Sequence, residues 1–410
     1  MHTDDIIERQ QGKGAWAPPA HGLQLIFRSQ TINHGLTILT GFLIALTVSV
    51  LISAVLVLTK RWHMTLSADH FQGAQKFHKK ATPRVGGVAI VFGVLAALLV
   101  SSAPPAVLFP VLMASSLPFA VGLYEDLSNN GGVKRRLFFM VGGSALFCML
   151  TGQWIRYVDV PMLDGFLALP ALGVGFTVFA LTGATNAINI IDGFNGLASG
   201  VALILLGALG IIANGVGDGA LLVALLSTMG AIAGFMIVNF PKGKMFLGDG
   251  GAYLLGFLLG AFAVLLPMRN PDVSPWVALV VCAYPLLEVL FSIHRKASRD
   301  GYSPMEPDGV HLHMLVYRRI TRHRFKNWRP AYRNAATSPF LWAFSSAPAL
   351  AAILWYDSTL LLMLSLGASA VAYALIYRRL TQFRWLPSRL PLQAPHGISS
   401  APTAPSATKT

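Results

Sequence analysis

Long apolar runs separated by polar stretches, the longest at 295–336, fill the chain from residue 35 to residue 377. Eleven runs, at 35–59, 85–103, 106–124, 137–153, 165–191, 197–214, 220–240, 246–267, 275–294, 338–355 and 357–377, read as membrane-spanning helices. Each is near the length of about 20 residues that a helix needs to cross a bilayer, the fourth being the shortest. Residues 1–33 read as an N-terminal tail and residues 34–378 as one polytopic membrane domain. Residues 379–410 end in a Pro/Ala/Ser-rich run and read as a disordered cytoplasmic tail. No soluble domain fits between the spans, and no internal repeat of the kind many transporters carry is evident. The predicted fold is an all-α integral membrane protein.

Composition agrees. Of 410 residues, 54% are hydrophobic and only 12% charged, against about 25% charged in soluble domains. The net charge of +14 would suggest nucleic acid in a soluble protein. Here the placement of the positives excludes that and sets orientation instead. The loops after spans one, three, seven and nine and the C-terminal tail hold nearly all the Lys and Arg. The other side has only Arg9, Lys13, Arg28, Arg156 and Arg269. The positive-inside rule therefore predicts an external N-terminus and a cytoplasmic C-terminus. The two cysteines, Cys148 and Cys282, lie in apolar segments and imply neither a disulfide nor a metal cluster.

On that map the membrane-border acids collect on one side. Asp126, Asp192, Asp249 and Glu288 fall at cytoplasmic helix ends, and Glu125 precedes Asp126. Acids at membrane depth normally face a bundle interior or cavity and meet a partner. Asn186, Asn189, Asp192 and Asn195 recur at intervals of three, with Gly193 and Gly196 between. Helical spacing would line them along one face, as a ligand surface or as a polar seam joining two helices.

Other polar clusters surround this segment. His78-Lys79-Lys80-Ala81-Thr82-Pro83-Arg84-Val85-Gly86-Gly87 puts cations before a helix start. It suits a phosphate, or is simply a topology signal. Glu125-Asp126, followed by Lys134-Arg135-Arg136, could hold Mg²⁺ or accept a proton, the cations meeting an anionic substrate; alternatively it is an ordinary helix stop. After Asn239, Gly248-Asp249-Gly250-Gly251 offers a carboxylate for a hard cation, or an N-cap. His311 and His313 could recognise phosphate or sugar hydroxyls, or form a structural clasp; no partner set for zinc accompanies them.

In order and type, these motifs resemble the polyprenyl-phosphate N-acetylhexosamine-1-phosphate transferases of glycosyltransferase family 4, relatives of phospho-N-acetylmuramoyl-pentapeptide transferase. The resemblance covers roughly residues 35–320. It rests on Thr-Pro-Arg-x-Gly-Gly, the acidic pair with its basic successor, Asn-x-x-Asn-x-x-Asp-Gly-x-Asn-Gly, Phe-Leu-Gly-Asp-Gly-Gly, Pro-Leu-Leu-Glu and His-x-His. It implies transfer of a sugar 1-phosphate from a UDP-sugar to undecaprenyl phosphate with release of UMP. It also implies an inner-membrane location with the active site on the cytoplasmic face, Mg²⁺ (or Mn²⁺) as cofactor, and room for a homodimer. By carry-over, Asp249 binds the metal and Glu125, Asp126 and Asp192 are the catalytic acids, the first two near metal and lipid phosphate and Asp192, with Asn189, near the nucleotide diphosphate. Lys134 meets an anionic substrate. Lys79, Arg84, Asn186, Asn195, Asn239, His311 and His313 complete the expected substrate contacts.

Three departures bear on the substrate: Glu125 stands where the family usually has Asp, Asn195 where Asp is frequent, and the His311-Leu312-His313-Met314 run lacks a third consecutive histidine. The last of them, where the muramoyl-pentapeptide branch typically carries three histidines followed by Phe-Glu, favours a UDP-N-acetylhexosamine donor or a deoxy relative, and a surface polysaccharide, such as lipopolysaccharide O-antigen or capsule, over peptidoglycan. The alternatives are a phospho-N-acetylmuramoyl-pentapeptide transferase or, in another class, a secondary transporter.

Overall fold

A computed structural model describes residues 20–62, 82–100, 106–128, 130–297 and 310–382, with side chains from residue 39 onward. The two predicted tails fall largely, and Lys79 wholly, outside the described residues. The helices, in chain order, are α1 Ala20–Leu58, α2 Gly86–Val100, α3 Leu108–Ser128, α4 Val133–Thr151, α5 Pro161–Leu167, α6 Pro170–Ile191, α7 Leu197–Gly215 and α8 Gly219–Asn239. They continue as α9 Gly248–Arg269, α10 Trp276–Val281, α11 Ala283–Ala297, α12 Leu312–Val316, α13 Pro330–Ala335, α14 Ser338–Leu354 and α15 Thr359–Thr381. A π-helical turn at Tyr317–Thr321 prolongs α12.

Eight helical stretches among the described residues are long and apolar enough to cross a membrane. The other three predicted spans are helical but fall short of that measure. Helix α2 has 15 residues. Helix α4 is long enough, but opens on Lys134, Arg135 and Arg136. The predicted 275–294 span is divided at Cys282 into α10 and α11.

Helix α9 is the axis. Gly248 and every residue from Gly250 to Met268 are buried. It packs against α3, α6, α7 and α2, while α1 lies against α8 and α2, and α14 against α7. Helix α15 is peripheral, with only Leu362, Tyr373 and Leu380 buried. In a bilayer, lipid tails are as apolar as leucine, so helices associate through close packing, and small residues permit it. A Cβ on Gly87 would lie 2.6 Å from the Gly251 Cα, and one on Gly122 would lie 2.6 Å from the Gly250 Cα. Backbone thus touches backbone where α2 and α3 meet the first turn of α9. That convergence assembles the polar site.

Candidate active site

The site is built at the start of α9. Residues 82–85 run beside 245–247: the Phe246 N–H donates to the Pro83 carbonyl at 2.8 Å. The Gly86 and Gly87 N–H groups donate to the carbonyls of Phe246 and Leu247 at 3.0 and 3.1 Å. Gly248 then takes a φ of +78°, and a side chain there would meet the Arg84 carbonyl and the Asp126 carboxylate.

The carboxylate that satisfies the first free N–H groups of α9 comes from α3. Asp126 Oδ1 accepts from the Asp249 N–H at 3.0 Å, and Oδ2 from the Gly250 N–H at 2.9 Å. An acid at a helix N-terminus answers both the unpaired donors and the positive end of the dipole. Asp249 is therefore released from the capping role the sequence left open to it. Its side chain, 30% exposed against 1% for Asp126, faces Arg84. The Arg84 guanidinium bridges the pair, 3.4 Å from Asp126 Oδ1 and 3.4 Å from Asp249 Oδ1. Asp192, half-buried at the C-terminal cap of α6, joins them electrostatically. Burial pushes its carboxyl up to about 7, with the Arg84 charge lowering it and the Asp249 charge raising it.

Glu125 is engaged elsewhere. Its Oε1 accepts from the Gly132 N–H at 3.2 Å and its Oε2 from the Tyr253 hydroxyl at 3.2 Å. Arg136 and Arg135 approach at 3.6 and 3.9 Å. The adjacent acids thus divide: Asp126 serves α9 and Arg84, and Glu125 ties α4 to α9. Lys134 is exposed beside them.

The asparagines divide as well. The single face expected from Asn186 to Asn195 ends at Ile191, where α6 stops. Asn189 is half-exposed near the Asp192 turn. Asn186 donates to the Thr182 carbonyl at 2.9 Å and to Met140 Sδ at 3.3 Å. Asn195 is buried in a clasp: its N–H donates to Asn334 Oδ1 at 2.9 Å, its side-chain amide to the Pro241 carbonyl at 3.1 Å, and its carbonyl accepts from Ser338 at 2.7 Å. Asn239 accepts from the Gly196 N–H at 2.6 Å and donates to the Met245 carbonyl at 2.7 Å. Both amide ends of Asn239 meet backbone. As placed here, Asn195 and Asn239 hold loops together. Asn334 and Tyr253 escaped sequence reasoning. A lone Asn in a basic run and a Tyr in an apolar helix carry no local signal of distant partners.

His311 and His313 lie inward. His311 Nδ1 is 3.0 Å from Glu288 Oε1, and the two imidazoles stack at 5.4 Å with 9° between planes. His313 is fully buried against Phe194, and burial lowers its ring to about 4.

The model of "Glycosyl transferase family 4" matches residues 108–267. A probable undecaprenyl-phosphate N-acetylglucosaminyl 1-phosphate transferase of Bacillus subtilis is 27% identical over 67% of this chain and 76% of its own. A decaprenyl-phosphate N-acetylglucosaminephosphotransferase of Mycolicibacterium smegmatis is 29% identical over 68% and 74%. A phospho-N-acetylmuramoyl-pentapeptide-transferase of Rubrobacter xylanophilus is 31% identical over 58% of this chain and 76% of that protein. The chain belongs to glycosyl transferase family 4.

The family match spans Glu125, Asp126, Lys134, Asp192, Asn239 and Asp249 and stops before the histidines. Of these, Asp126, Asp192 and Asp249 come together with Arg84, which precedes the match. A hard cation fits the exposed Asp249 carboxylate, which supplies oxygen donors only; both Asp126 oxygens already accept α9 N–H groups, so Asp126 would help only by sharing one of them. Among the described residues no three His, Cys, Asp or Glu side chains form a ready cage. Mg²⁺ suits such a site, since it commonly binds one or two carboxylates and completes its shell with water and substrate phosphates.

Proposed function

We propose that this member of glycosyl transferase family 4 transfers N-acetylhexosamine 1-phosphate from a UDP-sugar to undecaprenyl phosphate. A phosphate oxygen of the lipid forms a bond to the β-phosphorus, the bond from that phosphorus to the bridging oxygen breaks, and UMP leaves with it. The observation that carries this reading is the arrangement of Asp126, Asp249 and Arg84 around the first turn of α9. Phosphoryl transfer depends chiefly on positioning and charge neutralisation. Arg84 would meet the diphosphate, Asp126 holds the start of α9 through its two N–H groups, and Asp192 and Asn189 would meet the nucleotide. Asp249, with help from Asp126, would hold Mg²⁺ or Mn²⁺; a divalent cation there neutralises diphosphate charge. Lys134 adds an exposed cation for the lipid phosphate.

The topology that accompanies this reading is eleven spans with an external N-terminus and a cytoplasmic C-terminus. It places the site on the cytoplasmic face of the plasma membrane. The basic-residue asymmetry supports it. The donor is a UDP-N-acetylhexosamine, and the product starts a surface polysaccharide. The B. subtilis and M. smegmatis relatives are named for N-acetylglucosaminyl transfer, and the chain lacks a run of three histidines. The R. xylanophilus relative keeps the pentapeptide donor as a second reading.

Incubating purified protein with undecaprenyl phosphate and separate UDP-sugars, while following UMP, tests the assignment. The expected result is UMP release with a UDP-N-acetylhexosamine, abolished by chelator and by Asp249→Ala in a protein that still folds. Full activity in excess chelator refutes the metal role. Turnover of UDP-muramoyl-pentapeptide alone refutes the donor.

A further inference from the structure

Glu288 is a carboxylate that the reaction as described does not use. It sits in α11 with 1% of its surface exposed. Its Oε1 lies 3.0 Å from His311 Nδ1 and accepts the Leu312 N–H at 2.9 Å. Since that oxygen already acts as an acceptor, the His311 contact is completed by a proton carried on Nδ1. Nε2 is then left as the ring's acceptor nitrogen. The Leu312 bond fixes the backbone between the two histidines at the same time.

His311 in turn stacks on His313, whose ring is fully buried and has no hydrogen-bond partner at either nitrogen among the described residues. Its Nε2 stands against the Asp192 turn: a Cβ added to Gly193 would lie 3.1 Å from that atom. Phe194 meets the same ring edge to face at 5.8 Å. One buried carboxylate therefore supports a pair of imidazoles that reaches from α11 to the turn bearing Asp192. An acceptor that holds one ring nitrogen commonly sets which face of a histidine meets its ligand.

We infer that Glu288 is a positioning residue, which holds His311 as the Nδ1–H tautomer and, with the buried His313 stacked between His311 and the Asp192 turn, aims His311 at the sugar–nucleotide donor. This rests on the proposed reaction and on the expected contact of His311 with the donor. A purely structural role would lower stability and affect donor and lipid alike. The positioning role acts on the donor and leaves a spectroscopic mark.

The test uses the full-length protein in detergent, ¹⁵N-labelled at histidine, with Glu288→Leu and Glu288→Gln. Gln keeps an acceptor of the same shape, whereas Leu removes it. NMR of wild type should place the His311 proton on Nδ1. Glu288→Leu should lose that signature and raise the KM for the UDP-sugar by about tenfold, the scale on which lost support of a ligating histidine acts. The KM for undecaprenyl phosphate should stay near wild type, and Glu288→Gln should restore both readouts. A wild-type proton on Nε2 overturns the inference whether or not Glu288→Leu folds. So does a Glu288→Leu protein with unchanged donor KM when His311→Ala raises it. If His311→Ala itself leaves donor KM at the wild-type value, the donor contact fails, and the inference falls with it.

Discussion

Replacing Asn195 by aspartate exchanges one NH₂ group for oxygen, at a position where resemblance to the family leads one to expect Asp. In this chain that NH₂ donates to the Pro241 carbonyl at 3.1 Å, and Asn195 is only 2% exposed. An ionised carboxylate cannot donate, so the variant would set two acceptors against each other. The bond has a net worth of about 1 kcal/mol, but removing its donor alone strands a buried carbonyl and so costs about 1–3 kcal/mol. The new acid avoids part of that penalty by staying protonated, since its OH can donate to Pro241. Its folded-state pKa is thereby raised above the unfolded value. The destabilisation is then least in acid and grows as pH rises from about 4 toward that raised value. Thermal melting of wild type, Asn195→Asp and Asn195→Ala in detergent at pH 5 and pH 8 measures this. The expected result is a loss of about 1–3 kcal/mol for Asn195→Asp at pH 8, distinctly smaller at pH 5. Equal melting of wild type and Asn195→Asp at pH 8 refutes the clasp. An unchanged melting point with altered donor KM would instead make Asn195 a substrate contact.

Gly122→Ala should cost about 1–3 kcal/mol and depress turnover, because its Cβ would press on the Gly250 backbone and shift Asp126 from the start of α9. Wild-type melting and activity would show that the helices can part there without harm. Asp192 favours its protonated form in the fold, so wild-type stability should decline as pH rises from about 4 to about 7. Asp192→Asn should flatten that decline in denaturation midpoints, and an unchanged slope would remove the burial argument.

Much of this molecule was legible along the chain. Apolar runs of spanning length dictate helices, since a backbone in lipid must satisfy its own hydrogen bonds, and that requirement is local. The polar clusters at the helix ends could be picked out for a similar reason: carboxylates and amides there are costly without partners. Which partner each found was decided only in three dimensions. Asp126 and Asp249 are 123 residues apart, yet the cap on α9 depends on their meeting, and that depends on Gly122 letting α3 touch α9. The same packing turned Glu125 to Tyr253, drew Asn195 and Asn239 into a loop clasp, and buried His313 beside Gly193. Helical period places a side chain on a face of its own helix; the donor or acceptor waiting there belongs to another segment, and only tertiary packing supplies it.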